Sequence, residues 1–346
     1  MSVDLLASSA PFRMMRTKAV QSHHAEQLQS PQTPIQDAYD TQEQMVDSIP
    51  LATLSILPDP VFPVELERVI FEDTAVFYPA AIPALLCVAR RVFIWIEPFL
   101  FRIIRTDRKP LADAVLHAMK AKPASFFDTS VRHVYFKLGS HSTQWTETEA
   151  CALLSLCPRL HSFGAVAYWS PAALPPILNE LHAVRRFSGC LDDIFGHALA
   201  VDLKLPFFQR ITHMDVFENF GDVSWNKGRG GLQICADLAG LPALTHLCVH
   251  RGVHEGLLNH ILKECVHLKV LMTKFDVVDH AREHAAAIQI TDGRYLVVVT
   301  GTDEEYWADW ERGARGGMDF WAAADEFVAR KRNGEISASS YLLDHW

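Results

Sequence analysis

Hydrophobic and polar positions alternate along this chain with two different periods, and the change of period divides it. From Phe62 to Ile104 the apolar residues keep helical steps. Pro63 suits the first turn of a helix, where its missing N–H costs nothing. Leu66, Val69, Ile70 and Phe77 follow three or four residues apart, with Asp73 on the same spacing. Pro79 should end this helix, because the residue before a proline is pushed out of the α region. A second helix is predicted over Ile82–Ile94, with Leu85, Leu86, Ala89 and Val92 on one face and Pro98 as its stop. A unit of roughly 45 residues is too small to bury a good core alone, so it should lean on a partner or on the rest of the chain. Pro110 opens a further helix whose Leu111, Val115 and Met119 share a face.

From Val131 the period shortens to two. Short alternating stretches begin at Val131, Leu160, Val184, Ile211, Leu244, Leu268 and Arg294, each predicted as a strand. Helical runs lie between most of them, at Thr146–Leu156, Pro171–Leu181, Leu232–Leu238 and Glu255–Glu264. The predicted class is therefore α/β. A local phrase recurs: Leu-Cys-Pro-Arg-Leu-His-Ser-Phe from Leu156, Leu-Pro-Ala-Leu-Thr-His-Leu from Leu241, and Glu-Cys-Val-His-Leu-Lys-Val-Leu from Glu264.

A helix end, a polar or proline turn and a Leu-x-x-Leu entering a strand resemble the leucine-rich repeat. The spacings from 24 to 29 residues fit its range, and the 33-residue step marks an insertion at Glu218–Gly231. The Asn or Cys usual in the turn after the strand is missing from most units, so the resemblance is to irregular repeats. It implies a solenoid, in which stacked units share one core that no single unit could bury. A doubly wound α/β domain also alternates strand and helix; the recurring phrase favours the solenoid over residues 111–301.

The earlier helical unit, residues 51–110, carries a second resemblance. Pro63-Val-Glu-Leu66, Ile70-Phe71, Leu85 and Val88-Ala-Arg-Arg91 resemble the F-box, whose form is Leu-Pro-x-Glu-Leu, Ile-Phe, Leu, then Val-x-Arg-x-Trp. Phe62 precedes the proline where the family has Leu. Val92 stands where it often has Trp, and Trp95 comes three residues late. This is the degenerate form found in expanded fungal families. The resemblance implies docking to a Skp-type adaptor of a cullin–RING ubiquitin ligase, with Pro63, Leu66, Ile70, Leu85, Val88 and Trp95 at the interface. The repeats would then hold a protein substrate. A second reading keeps the repeats as a protein-interaction scaffold and drops adaptor binding.

Composition narrows the field. The net charge of −9 argues against a general nucleic-acid binder. No apolar run reaches the ~18 residues a membrane span needs, and a secretory signal is not expected. The seven cysteines are scattered without a Cys-x-x-Cys pair, and read as reduced, buried thiols of a cytoplasmic or nuclear protein. Residues 1–50, rich in Gln, Ser, His and Pro, read as a disordered tail. Residues 302–346 hold many aromatics, with a helix over Met318–Arg332, and read as a cap sealing the end of the repeats.

Candidate chemistry is sparse. His280-Ala-Arg-Glu-His284 matches a zinc-peptidase pattern in which both imidazoles reach one metal from a helix. It needs a third ligand, and only Glu304, Glu305, Glu311, Glu326 and Glu335 follow. A zinc hydrolase is therefore the least favoured reading. Gly228-Arg-Gly-Gly231 is too short for a phosphate loop. The expectation is a protein with no catalytic residue, no metal and no cofactor.

Overall fold

The structure, a computed structural model, describes residues 62–137, 145–166, 169–170, 172–195, 201–217 and 236–346. The predicted tail and the Glu218–Gly231 insertion, with Trp225, lie outside the described residues.

The first helices form a small unit of their own. α1 spans Val64–Phe77 and stops at Tyr78, before Pro79. A 3₁₀ turn at Pro79–Ala81 and a short α2, Ile82–Leu85, follow. α3 runs Arg90–Leu100. The single second helix predicted over Ile82–Ile94 is thus broken in two by a turn before Arg90. Pro98 does not stop α3; it sits in the last turn, and the helix ends two residues later. The unit's core is minimal: Ala75, Ile82, Val92 and Ile96, with Leu85 and Trp95 packed half-buried against it.

Beyond this unit the described residues form one sheet of nine parallel strands, β1 to β9, arranged strictly in chain order. They are Ile103–Arg105, His133–Lys137, Ser162–Val166, Arg186–Gly189, His213–Val216, His246–His250, Val270–Phe275, Tyr295–Val299 and Leu342–Leu343. The order never reverses, whereas a doubly wound sheet has a point at which it does. Six of the seven predicted strands begin two residues after their predicted starts, because the leading Leu, Val or Ile belongs to the turn. Those leading residues are buried: Val131, Leu160, Val184, Ile211, Leu244 and Leu268. β1 and β9 were not predicted. β1 falls inside the segment read as purely helical.

Register fixes what each face carries. His133, Ser162, Arg186, His213, His246 and Val270 form one row across β2 to β7. Strand residues alternate sides, so Val134, Phe163, Phe187, Met214, Leu247 and Leu271, one step on, face the opposite way. This second row meets a layer of helices: α4 Lys109–Ala121, α5 Ala124–Ser130, α6 Glu147–Ser155, α7 Leu174–Glu180, α8 Leu191–Phe195, α9 Glu255–Glu264 and α10 Val278–Ala287. Together they make the main core, with Val115, Phe127, Leu153, Leu178, Ile194 and Ile261 pointing inward. A capping box of Thr146 and Glu149 starts α6.

The cysteines are only partly as expected. Cys157, Cys248 and Cys265 are buried, Cys151 and Cys190 half-buried, and Cys87 is exposed, while Cys235 lies outside the described residues. Cys87 sits in the turn between α2 and α3, where little chain covers it.

Burial separates the apolar residues sharply. Phe187 packs edge-on against Phe207 and Phe208 at 5.8 and 6.4 Å, in the main core. Phe187→Ala should cost about 3–5 kcal/mol, whereas Ile70→Ala on the exposed side of α1 should cost under about 1 kcal/mol. Urea denaturation followed by circular dichroism checks both, and equal losses would contradict this assignment of the core.

Candidate functional site

Two surfaces stand out, one unexpectedly open and one unexpectedly closed. The open one is on α1. Its apolar stripe, predicted from three- and four-residue steps, points away from the chain. Leu66 is 54% exposed and Ile70 50%, with Val64 and Val69 alongside in the same state. Only Ala75 of α1 is buried. Burying side chains of this size usually stabilises by about 1.5–3 kcal/mol each, and here that gain is left unmade. Pro63 is exposed at the N-cap and Val88 is exposed in the turn before α3. Arg91 makes a two-pronged ion pair with Glu67, 2.7 and 2.9 Å, which ties α3 to α1.

The six residues predicted to form the interface therefore divide. Pro63, Leu66, Ile70 and Val88 are presented outward. Leu85 and Trp95 pack half-buried on Ile82, Val92 and Ile96, so they support the surface rather than form it. Val92 is 0% exposed.

The closed surface is the sheet's second face. Two helices from the aromatic segment, α11 Asp303–Ala314 and α12 Phe320–Arg332, lie across it. The predicted cap at the end of the repeats is thus only its last strand: β9 adds to the edge of β8, while the helices turn back over the face. Trp307 stacks on Tyr135 of β2, ring centroids 3.4 Å apart. Its ring also passes over Gly164 of β3, where a Cβ would come within 3.1 Å of it. Trp310 meets His133 edge-on, and Trp321 meets both His213 and His246.

Polar contacts pin these helices at several places. Arg105 of β1, 1% exposed, reaches Asp107 at 2.7 Å and Glu311 at 3.5 Å. Arg186 of β4 pairs with Asp319, the N-cap of α12, at 2.7 Å. His246 of β6 meets Asp325 at 3.0 Å. Deepest is Asp215 of β5, fully buried, which accepts from Lys274 at 2.7 Å and from the Tyr306 hydroxyl at 2.6 Å. The Lys274 ammonium also lies 3.6 Å from the centre of the Phe217 ring. Burial, then Asp215, pushes the Tyr306 hydroxyl well above its ordinary pKa, and burial and Asp215 do the same to the Cys248 thiol. Both stay protonated, so this cluster fastens a helix and supplies no nucleophile.

Two histidines on this face are held neutral. Burial first, then His161 and nearby arginines, takes His133 down to about 3. Burial, then the parallel-stacked His246 at 4.0 Å, takes His213 down to about 2.

The zinc motif is not assembled. His280 and His284 both lie on α10, but His280 is exposed and the His284 ring is bonded to the Tyr295 hydroxyl at 3.0 Å. No third His, Cys, Asp or Glu joins them among the described residues. His254 caps α9 through its ring, which accepts from the Leu257 amide. Also among the described residues, no helix is long and apolar enough to cross a membrane.

Sequence reasoning missed Asp215, Lys274, Arg105 and Arg186. Their one signal was a polar residue at alternate strand positions, which reads equally well as an exposed face. No known protein family matches the chain, and no curated protein matches it either.

Asp215→Ala would leave Lys274 buried without its carboxylate, at a cost of about 3–5 kcal/mol. Adding Lys274→Met should recover part of that loss, and urea midpoints of the two variants test the coupling; no recovery would mean the pair is not a unit. Acid should act in a definite window. His133 and His213 are neutral in the fold but protonated in the unfolded chain below the ordinary value of 6.5. The unfolded state then binds more protons, so stability is lost as pH falls from 6.5 toward about 3. Urea midpoints measured from about pH 7.5 down to about pH 4 should decline, and His213→Gln should flatten the slope.

Proposed function

We propose that this protein is the substrate-recognition subunit of a cullin–RING ubiquitin ligase. The helical unit at Val64–Leu100 is F-box-like and docks a Skp-type adaptor through α1. The sheet domain is an irregular leucine-rich-repeat solenoid that holds a protein substrate, and all bond-making belongs to the partner proteins. One observation carries the reading: the α1 stripe that matches the F-box phrase is apolar, regular and exposed among the described residues. Leu66 and Ile70 lie one turn apart on that face, Pro63 precedes it at the N-cap, and Val88 is exposed in the turn before α3. The strictly sequential parallel sheet fits stacked solenoid units, over one face of which α11 and α12 return.

The second reading, a repeat scaffold that does not bind the adaptor, draws on Val92. It occupies the position where the F-box often has Trp, and it is buried in the small core. A partner can gain nothing from it.

Purified Skp-type adaptor from the same organism should capture the full chain at micromolar affinity or better. Leu66→Asp should weaken capture at least about 100-fold, since an unpaired charge buried in an apolar contact costs several kcal/mol. Thermal unfolding of the variant should be unchanged, because Leu66 is half-exposed in the free chain. Undiminished capture by the variant would rule out this interface. Absence of capture by the native chain would favour the scaffold.

A further inference from the structure

The face of the sheet that could have received a partner is occupied by α11 and α12, so recognition must use another surface. The rim formed where the strands begin is charged in one sense. The residues immediately before β1 to β8 are Arg102, Arg132, His161, Arg185, Thr212, Thr245, Lys269 and Arg294, with no acid among them. Backbone bonds hold the first four in line: the Arg132 amide donates to the Arg102 carbonyl at 2.9 Å, His161 to Arg132 at 2.7 Å, and Arg185 to His161 at 2.8 Å. With strands about 4.8 Å apart, Arg102 to Arg185 spans roughly 14 Å, the length of four to five extended residues.

The rim is built, not merely basic. Arg132 is fixed by donating to the carbonyls of Asp128, Thr129 and Val131 at the end of α5. Arg185 donates through Nη1 to His182 and Val184, leaving its other nitrogens without a hydrogen-bond partner among the described residues. Arg102, Arg132 and Arg185 have no carboxylate within ion-pair distance among the described residues, whereas Arg159 and Arg186 nearby are paired with Asp128 and Asp319. An open cavity of about 490 Å³ sits in this stretch, lined by His133, His161, Ser162, Arg185, Arg186 and Gly313. His161 is held below its ordinary pKa by burial and then by Arg132, Arg102 and Arg185.

We infer that the rim from Arg102 to Arg185, with its cavity, binds an acidic extended peptide segment of a protein partner. This deepens the reading of the sheet domain as the substrate-holding part, and stands apart from adaptor docking at Leu66. Carboxylate and phosphate groups share the recognising chemistry, so glutamate and phosphoserine peptides form separate arms of the test.

The test is fluorescence anisotropy of the full chain with a labelled peptide of about six consecutive glutamates, matched against a glutamine peptide and against a phosphoserine peptide. The glutamate or the phosphoserine peptide should bind, the glutamine peptide should not, and raising the salt should weaken binding. The double variant Arg102→Glu with Arg185→Glu should weaken it at least about tenfold, with tryptophan fluorescence from α11 and α12 unchanged. In the native chain, peptide should also raise the pKa of His161, read by NMR, which serves if the variant fails to fold. Equal binding by the variant, an unmoved His161, or tighter binding of a single-stranded RNA of equal charge would overturn the inference. Adaptor capture is measured on the same samples. If capture fails and the peptide binds, the ligase reading falls and the rim stands; the reverse result leaves adaptor docking and removes the rim.

Discussion

A parallel sheet has two faces to cover, and connections on one side supply cover for only one of them. Here α4 to α10 pack on one face, and the chain must find something else for the other. It uses its own last helices. Everything distinctive about the second face follows from that constraint: the strand positions beneath α11 and α12 mix aliphatic residues such as Val270, Met272 and Val298 with small, aromatic and charged ones that find mates above. Gly164 leaves room for the Trp307 ring, Tyr135 stacks on it, and Asp215 waits for Tyr306.

Charge pairs are a costly way to fasten a helix, because desolvating both partners can cancel their attraction. What they supply is position. Asp215 is satisfied only when Tyr306 and Lys274 both reach it, and Arg186 only when Asp319 begins α12 where it does. Aromatic packing alone would tolerate a shift of α11 along the sheet. The polar contacts do not, since a slipped helix would strand a buried carboxylate. The aromatic residues therefore provide most of the attraction and the ions the register.

The sequence reveals periods well and destinations poorly. Glu255–Glu264 was legible as a helix to the residue, and all seven predicted strands to within two positions of their starts, because their alternation reports burial on one face. β1 and β9 escaped because three and two residues are too few to show a period. Phe320–Arg332 was legible as a helix with apolar residues inward, but nothing in its period says which surface receives them. The partners of Arg105, Arg186 and Asp215 lie 206, 133 and 91 residues away, far beyond any local pattern. A row of His, Ser, Arg, Asp and Cys looks like a wetted face until the covering helix is seen.

The same contrast explains why the α1 stripe is informative. On the second face, polar residues turned out to be buried because a partner exists within the chain. On α1, by contrast, Leu66, Val69 and Ile70 stay exposed among the described residues. The unit's core takes Val92 and Ile96 from α3 and Ala75 from α1, with Phe71 of α1 packed half-buried against it. α1 thus turns Phe71 and Ala75 toward its own unit and keeps Leu66, Val69 and Ile70 outside. Glu67 and Arg91 hold it in that orientation from the polar side. The outward face is thus a consequence of how the helix is anchored.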